Sequence, residues 1–253
     1  MYRLIFIDIL KMKINRLNFF LIHLATTIII IIALMIYYLF VIFPMPLGTA
    51  YGADFLLSLF VCISLFFSFF ILLVYNAKKK EYKRDILIVI IFQIFFIIFC
   101  HYLFMSSRPA WIVYHDKQFD LVGLNEVVYN KNTVSLPQFD VHFWESPKIV
   151  AFQMPNNNEE KSDLMFADTF GISLSQRINY FVAIDFFDKE IRENSLSLKE
   201  LYLYNNKYKV DTQLNKFSRA VGWMPLKANK KDMVVLLDYQ GKVVKIVDLS
   251  PWK

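Results

Sequence analysis

Residues 19–43 read FFLIHLATTIIIIIALMIYYLFVIF, an apolar stretch of 25 residues that decides the fold. At about 1.5 Å of helical rise per residue, this stretch exceeds the roughly 30 Å hydrocarbon core of a bilayer. Two further apolar stretches follow, Phe55–Tyr75 with 21 residues and Ile86–Phe104 with 19 residues. A helix in lipid satisfies its own backbone hydrogen bonds. The sequence therefore predicts three membrane-spanning helices.

The N-terminal end of the chain allows two interpretations. The first apolar stretch is longer than the 7–15 residues of a cleaved signal peptide, so we expect it to remain as a span. A second candidate start, Met12, lies just upstream of it. Residues 1–11 either precede the true initiator or form a short amphipathic segment at the membrane surface.

The orientation of the spans follows from their flanking charges. Basic loops stay in the cytoplasm. The connection from Pro44 to Asp54 has no Lys or Arg, whereas basic residues precede the first span and separate the second from the third: Arg3, Lys11, Lys13 and Arg16, then Lys78, Lys79, Lys80, Lys83 and Arg84. We therefore predict a cytoplasmic N-terminus (residues 1–18), a three-helix membrane domain (residues 19–105) and a C-terminal domain (residues 106–253) on the periplasmic side.

The C-terminal part has the composition of an ordinary globular domain. The whole chain is 57% hydrophobic, but the excess lies in the first 105 residues. Those residues carry nine Lys/Arg and four Asp/Glu, and the remaining 148 carry nineteen and eighteen. A nucleic-acid-binding domain would need a basic surface. The near balance of charge argues against such a partner.

Sequence patterns predict an α+β fold with a small, mainly antiparallel sheet for the C-terminal domain. Apolar and β-branched runs indicate strands, and Gly171 ends a helical pattern that contains Leu164, Met165 and Phe170. The spacing of Ser197 and Glu200 is that of a capping box and predicts a short helix. The predicted strands are Trp111–Tyr114, Phe119–Val122, Lys148–Gln153, Met233–Leu237 and Lys242–Val247, with a turn at residues 115–117 and a hairpin turn at residues 238–241.

Polar side chains within the spans have two readings. Such groups are costly in lipid and face protein, so they either pack among the protein's own helices or form a docking face for another helix. They are His23, Thr26, Thr27, Asp54, Ser64, Ser68 and Gln93. The two cysteines, Cys62 and Cys100, lie in apolar runs and are expected to be small buried residues.

No catalytic motif is recognisable in the sequence. It lacks a glycine-rich phosphate loop, a nucleophile elbow and a Cys/His metal pattern. The pair His115-Asp116 lies in a predicted turn, where both residue types are common for backbone reasons. We expect no enzymatic activity, no metal and no cofactor.

The order of short blocks along the chain resembles the type IV pilin accessory protein family, the TfpX/TfpZ group of Gram-negative bacteria. The resemblance covers nearly the whole chain from about Met12. One departure concerns residues 63–68, where the family often has an acidic residue followed by Gly-Pro and this chain has neither. The matching blocks are Asn15-Arg16-Leu17, Ile22-His23-Leu24, Phe43-Pro44-Met45-Pro46-Leu47, Gly52, Tyr75-Asn76-Ala77-Lys78-Lys79-Lys80, Asp85, Gln93, Ser107-Arg108-Pro109-Ala110-Trp111-Ile112-Val113-Tyr114, Phe119-Asp120-Leu121-Val122, Trp223-Met224-Pro225-Leu226, Gly241 and Leu249-Ser250-Pro251-Trp252.

This resemblance implies a non-enzymatic, chaperone-like protein of the inner membrane that binds its cognate type IV major pilin and promotes pilus assembly. Its partners would be the pilin, the lipid bilayer and other pilus assembly machinery. Candidate pilin-binding residues are Ser64, Ser68 and Gln93 in the spans and Arg108 and Trp111 at the start of the periplasmic domain. Aromatic-rich stretches at residues 139–144 and 202–208 are further candidates, or part of the domain's own core. The alternative function is a membrane-anchored sensor or signalling adaptor with a periplasmic ligand-binding domain.

Overall fold

The computed structural model describes residues 15–76, 78–128, 137–142, 144–145 and 147–252. The interpretations of residues 1–11 therefore concern a segment outside the described residues. The chain divides into two compact units. The membrane unit comprises residues up to 38 together with 54–104, and the outer unit comprises residues 39–53 together with 105–252.

The three predicted spans are confirmed as long apolar helices. α1 covers Arg16–Tyr37 and continues through one π-helical segment to Ile42, α3 covers Ala53–Val74, and α4 covers Tyr82–Ser107. Each helix is long and apolar enough to cross a bilayer. Large apolar side chains such as Ile29 and Phe95 point outward with two thirds of their surface exposed. Such a surface is stable in lipid and not in water.

The interior of the membrane unit contains aromatic packing. Tyr38 is fully buried and meets the rings of Phe60 and Phe104 edge-on, at centroid distances of 5.8 and 4.9 Å. Cys100 is buried as expected, whereas Cys62 is exposed on the outer surface of α3, so the prediction of burial is wrong for Cys62. An exposed thiol in a span costs little because lipid solvates it as a small apolar group.

The described residues of the outer unit form a mixed sheet of eight strands, so the prediction of a mainly antiparallel sheet is wrong. The order is β4-β3-β1-β2-β6-β7-β8, and β5 also pairs with β6. The pairs β1–β3 and β2–β6 are parallel. The strands are β1 Pro109–His115, β2 Gln118–Gly123, β3 Lys148–Phe152, β4 Phe181–Ala183, β5 Leu196–Ser197, β6 Gly222–Lys227, β7 Met233–Leu237 and β8 Val243–Val247.

The local turns that the sequence predicts are confirmed. Asp116 and Lys117 both have positive φ, as a two-residue hairpin turn with right-handed strand twist requires. Gly241 has a φ of 88°, and the carboxylate of Asp238 accepts hydrogen bonds from the backbone N–H groups of Gln240 and Lys242. The capping box of Ser197 and Glu200 is also present.

Five α-helices are also present among the described residues of the outer unit. α5 begins after Asn157, whose side chain accepts a hydrogen bond from Glu159 N–H, and it ends just before Gly171 at φ 91°. β1 is buried on both faces, with Trp111 and Val113 in one apolar cluster and Ile112 and Tyr114 in another. The helices are α2 Leu47–Tyr51, α5 Asn158–Thr169, α6 Asp188–Asn194, α7 Leu201–Tyr204 and α8 Lys207–Lys216.

The connection between α1 and α3 is folded into the outer unit. Leu47 and Ala50 belong to the same apolar cluster as Ile112 of β1. The carbonyl of Ala50 accepts hydrogen bonds from the N–H groups of Lys230 and Lys231, at 3.0 and 3.1 Å. The sequence-based division assigned this connection to residues 19–105. In the structure, residues 39–53 belong with the C-terminal domain.

Candidate functional site

A buried polar cluster joins the three spans of the membrane unit. The hydroxyl of Thr27 on α1 accepts hydrogen bonds from Ser68 Oγ on α3 at 3.1 Å and from Gln93 Nε2 on α4 at 3.2 Å. His23 Nδ1 lies 3.1 Å from the same serine oxygen and 3.5 Å from Thr27 Oγ1. Packing of these polar groups among the protein's own helices is therefore confirmed for His23, Thr27, Ser68 and Gln93.

The candidate pilin contacts in the spans lie inside this bundle. Ser64 and Ser68 are fully buried, and Gln93 is nearly so. Ser64 Oγ has no hydrogen-bond partner within the described part of the chain. Thr26, on the neighbouring position to Thr27, donates instead to the carbonyl of Ile22 in its own helix. A pilin contact by Ser64, Ser68 or Gln93 remains a prediction, and in this structure their side chains face the protein interior.

The candidate residues at the start of the outer unit are also buried. Arg108 donates from a terminal guanidinium nitrogen to the carbonyl of Val141 at 2.8 Å, and Trp111 Nε1 donates to the carbonyl of Phe139 at 2.9 Å. Both side chains are almost completely enclosed. Their hydrogen bonds therefore hold the segment around residues 137–142 against β1. Their proposed contact with pilin is not tested by this placement.

The two aromatic-rich stretches divide between core and surface. Phe139 is buried, whereas Trp144 is largely exposed and stacks on the ring of His142 at 4.9 Å. In the second stretch, Leu203 and Tyr208 are exposed by 65% and 80%. The first stretch thus supplies a core residue, the second packs partly buried Tyr204 against an apolar cluster, and both leave apolar surface exposed.

The described residues of the outer unit form a groove of about 690 Å³. It lies at the carboxyl ends of the parallel strands β1 and β3, and the C-terminal half of α5 and the start of α6 form its walls. We call this feature the β1–β3 groove. Its lining consists of Tyr114, His115, Asp116, Phe152, Gln153, Met154, Met165, Asp168, Thr169, Leu174, Phe187 and Glu190.

The β1–β3 groove combines an apolar floor with acidic walls. Phe152 and Leu174 are buried at its base, and the ring of His115 packs edge-on against Phe152 at 5.3 Å. The buried hydroxyl of Tyr114 donates to Glu190 Oε1 at 3.0 Å. Burial, and then this hydrogen bond to a carboxylate, raise the pKa of Tyr114, so the phenol stays protonated and remains a donor.

An exposed apolar ridge lies along α5 beside the groove. Met165, Phe166 and Phe170 are all more than half exposed, and the rings of Phe166 and Phe170 contact each other at a centroid distance of 4.7 Å. Leu164 on the same helix is buried in the core. We call these three exposed residues the α5 ridge. Sequence reasoning assigned Met165 and Phe170 to the apolar face of this helix without separating buried from exposed positions.

A second groove, of about 330 Å³, lies on the membrane unit between α3 and α4. Its lining is entirely apolar. It differs from the Thr27 cluster because its residues include side chains that point outward, such as Phe66 and Phe92, both about 60% exposed. We call it the phenylalanine groove; it is lined by Phe66, Phe67, Phe70, Ile88, Val89 and Phe92.

One carboxylate of the outer unit is held in an unfavourable environment. Asp120 on β2 is 9% exposed and accepts a hydrogen bond from Gln118 Nε2 at 3.0 Å. Burial raises the pKa of Asp120, although Ser175, His115 and Lys227 act in the opposite direction. Among the described residues, no group of three or more His, Cys, Asp or Glu side chains is arranged to hold a metal ion.

Comparisons with protein-family models, with curated proteins and with solved structures found no match for this chain.

Proposed function

We propose that this chain is a non-enzymatic accessory protein of the bacterial inner membrane that binds its cognate type IV pilin and promotes pilus assembly. The α5 ridge is the observation that carries the proposal. Met165, Phe166 and Phe170, at the C-terminal end of α5 and its cap, each expose more than half of their surface, and the rings of Phe166 and Phe170 contact each other. Contiguous exposed apolar surface in an aqueous compartment marks a site of protein–protein contact. The resemblance of the sequence to pilin accessory proteins indicates that this partner is a type IV pilin.

The membrane unit supports a two-part contact with pilin. Before assembly, a type IV pilin has an apolar helix in the membrane and a globular head in the periplasm, as the family resemblance implies. The phenylalanine groove offers that helix an apolar surface, because helices associate in lipid through close van der Waals packing. The α5 ridge offers the head a second contact. Two linked contacts raise the affinity through the effective concentration of the second.

The position of α2 supports the proposed orientation. α2 connects the first two spans and shares an apolar cluster with the C-terminal domain, which supports a common side of the membrane for both. Three spans then place Arg16 and the segment around Lys79 on the opposite side. Basic segments remain in the cytoplasm, so the outer unit would face the periplasm.

The alternative is a membrane-anchored sensor, and the size of the β1–β3 groove is the observation that favours it. Its volume of about 690 Å³ falls within the roughly 300–1,000 Å³ of small-molecule sites. A sensor would respond to a small ligand without any effect on pilin. The same genetic experiment therefore separates the two functions.

The experiment deletes the gene and measures the steady-state level of the major pilin and the number of surface pili. We expect both to fall, and to recover when the wild-type chain is supplied. A chain with Phe166→Ser and Phe170→Ser is expected to insert and fold but to restore few pili, because both side chains are exposed. Tyr239→Ser removes a similarly exposed aromatic ring from the β7–β8 turn and serves as the control that should restore piliation. Unchanged pilin and pili after deletion would reject the proposal.

A further inference from the structure

The charges in the β1–β3 groove are all of one sign. Its described lining includes three carboxylates, Asp116, Asp168 and Glu190, and no Lys or Arg. Asp116 and Asp168 are exposed at the mouth of the groove, on the β1–β2 turn and on α5. Glu190 on α6 is also exposed, and its carboxylate accepts the hydrogen bond from Tyr114. A cationic ligand would therefore meet negative charge from three different elements.

The floor of the groove is apolar. Phe152 and Leu174 are buried beneath the carboxylates, and Phe187 and Met154 are partly buried at the sides. A lone ammonium ion would gain little from such a floor, because burying a charge on apolar surface costs free energy. An aliphatic or aromatic side chain gains by covering it. The groove therefore suits a ligand that has both kinds of group.

We propose that the β1–β3 groove binds a protein segment that carries a lysine or arginine between apolar side chains. The apolar side chains cover Phe152 and Leu174, and the cationic group reaches Asp116 and Asp168. The stem of a lysine or arginine is itself apolar and can lie along the floor while its charged end stays at the wet rim. The volume of about 690 Å³ accommodates a short segment of chain rather than a folded domain.

This inference rests on the proposed function, because it identifies the part of the pilin head that the outer unit would hold. The α5 ridge borders the groove through Met165, which belongs to both. A pilin segment in the groove would therefore continue onto the ridge. The two contacts differ in chemistry, since the ridge is apolar and the rim of the groove is anionic, so they can be tested separately.

The test uses the full chain in neutral-lipid nanodiscs and two synthetic peptides. The first has the sequence Ser-Phe-Lys-Leu-Phe-Lys-Ser, and the second has Glu in place of both Lys. We expect the first peptide to bind and the second to bind much more weakly. The variant with Asp116→Asn and Asp168→Asn should bind the lysine peptide about 2- to 30-fold more weakly, as expected for the loss of two exposed ion pairs. Added salt should weaken binding to the wild-type chain, because exposed charges are screened.

A matched control comes from the same helix. Asp163→Asn removes an exposed carboxylate of α5 that lies outside the groove lining, and it should leave peptide binding unchanged. Failure of the lysine peptide to bind would overturn the inference, and so would equal binding of the glutamate peptide or an equal loss in Asp163→Asn. Loss of pili on gene deletion together with any of these results would contradict the groove inference and leave the proposed function intact. Selective peptide binding, combined with unchanged pilin after deletion of the gene, would contradict the proposed function and mean that the groove binds a different protein partner.

Discussion

Thr27→Val is the sharpest test of how the three spans are held together. The hydroxyl of Thr27 accepts hydrogen bonds from Ser68 on α3 and Gln93 on α4, and valine has nearly the same shape without that oxygen. Both partners are buried, at 0% and 6% exposure, so water cannot replace the lost acceptor. The substitution therefore removes two interhelical hydrogen bonds and, within α1, the longer contact of Thr27 with His23.

The expected loss of stability follows from these two bonds. Hydrogen bonds between membrane helices contribute about 0.6 kcal/mol on average and about 1.7 kcal/mol at most. Two of them give about 1 to 3 kcal/mol for Thr27→Val. Since about 1.4 kcal/mol corresponds to a factor of ten, the population of opened bundle should rise about 5- to 150-fold.

Cys100 provides the assay, because it is buried in α4. In a Cys62→Ser background, a membrane-permeable maleimide reacts with Cys100 only when the bundle opens. The labelling rate in detergent therefore reports the free energy of opening, provided that closing is faster than labelling. We expect the rate for Thr27→Val to rise by the factor given above.

Thr26→Val is the matched control for this prediction. It makes the same chemical change one residue away, but the hydroxyl of Thr26 donates to Ile22 within its own helix and lies on the exposed side. Its labelling rate should stay within about twofold of the background, because it breaks no interhelical bond. Equal rates for the two variants would refute the role of Thr27 as the link between the spans.

Three further predictions concern the outer unit and the orientation. Asp120→Asn should raise the thermal unfolding midpoint at neutral pH, measured by tryptophan fluorescence, because burial raises the pKa of Asp120. A carboxyl group whose pKa is raised by folding stabilises the wild-type fold while it is protonated, and that stability is lost as the pH rises through the pKa. The gain from Asp120→Asn should therefore shrink at acidic pH. A gain that grows on acidification would contradict this assignment. Leu47→Ala should destabilise the outer unit by about 2–5 kcal/mol, although Leu47 lies between two spans in the sequence. Met45→Ala, at an exposed position, should have little effect. Equal effects of the two substitutions would show that α2 is not part of the core of the outer unit. In a cysteine-free chain, an impermeant maleimide should label Asp163→Cys on intact spheroplasts and Lys80→Cys only after lysis, and the reverse pattern would invert the proposed orientation.

The spans and hairpins were predictable because their signals are local. A run of about 20 apolar residues has few structural solutions, and the positive φ values at Asp116 and Gly241 fall where the sequence places turn residues. The sheet topology was not predictable in the same way. β1 pairs in parallel with β3, about 35 residues later, and β2 pairs in parallel with β6, about 100 residues later. No local pattern specifies such partners, so only the hairpin-like pairings were found and the sheet was taken as mainly antiparallel.

The candidate site was only partly predictable. Periodicity identified Leu164, Met165 and Phe170 as apolar positions of a helix, but it did not show that Leu164 is buried while the other two are exposed. The groove could not be found from sequence, because its walls come from strands and helices that are distant along the chain. The packing of α2 into the outer unit was missed for a related reason. A short segment between two spans reads as a loop, and the contacts of Ala50 with Lys230 and Lys231 join residues 180 positions apart.

Site-specific photo-crosslinking in cells that make the cognate major pilin tests the central claim most directly. A photoreactive amino acid is placed at Phe166 on the α5 ridge or at Phe92 in the phenylalanine groove. The matched controls are Tyr239 in the β7–β8 turn and Ile29 on α1, which are similarly exposed and lie outside the ridge and the groove. We expect pilin adducts at Phe166 and Phe92 and few or none at the two controls. Absence of pilin adducts at both Phe166 and Phe92, in a chain whose Cys100 remains protected, would contradict the claim that this protein holds a pilin.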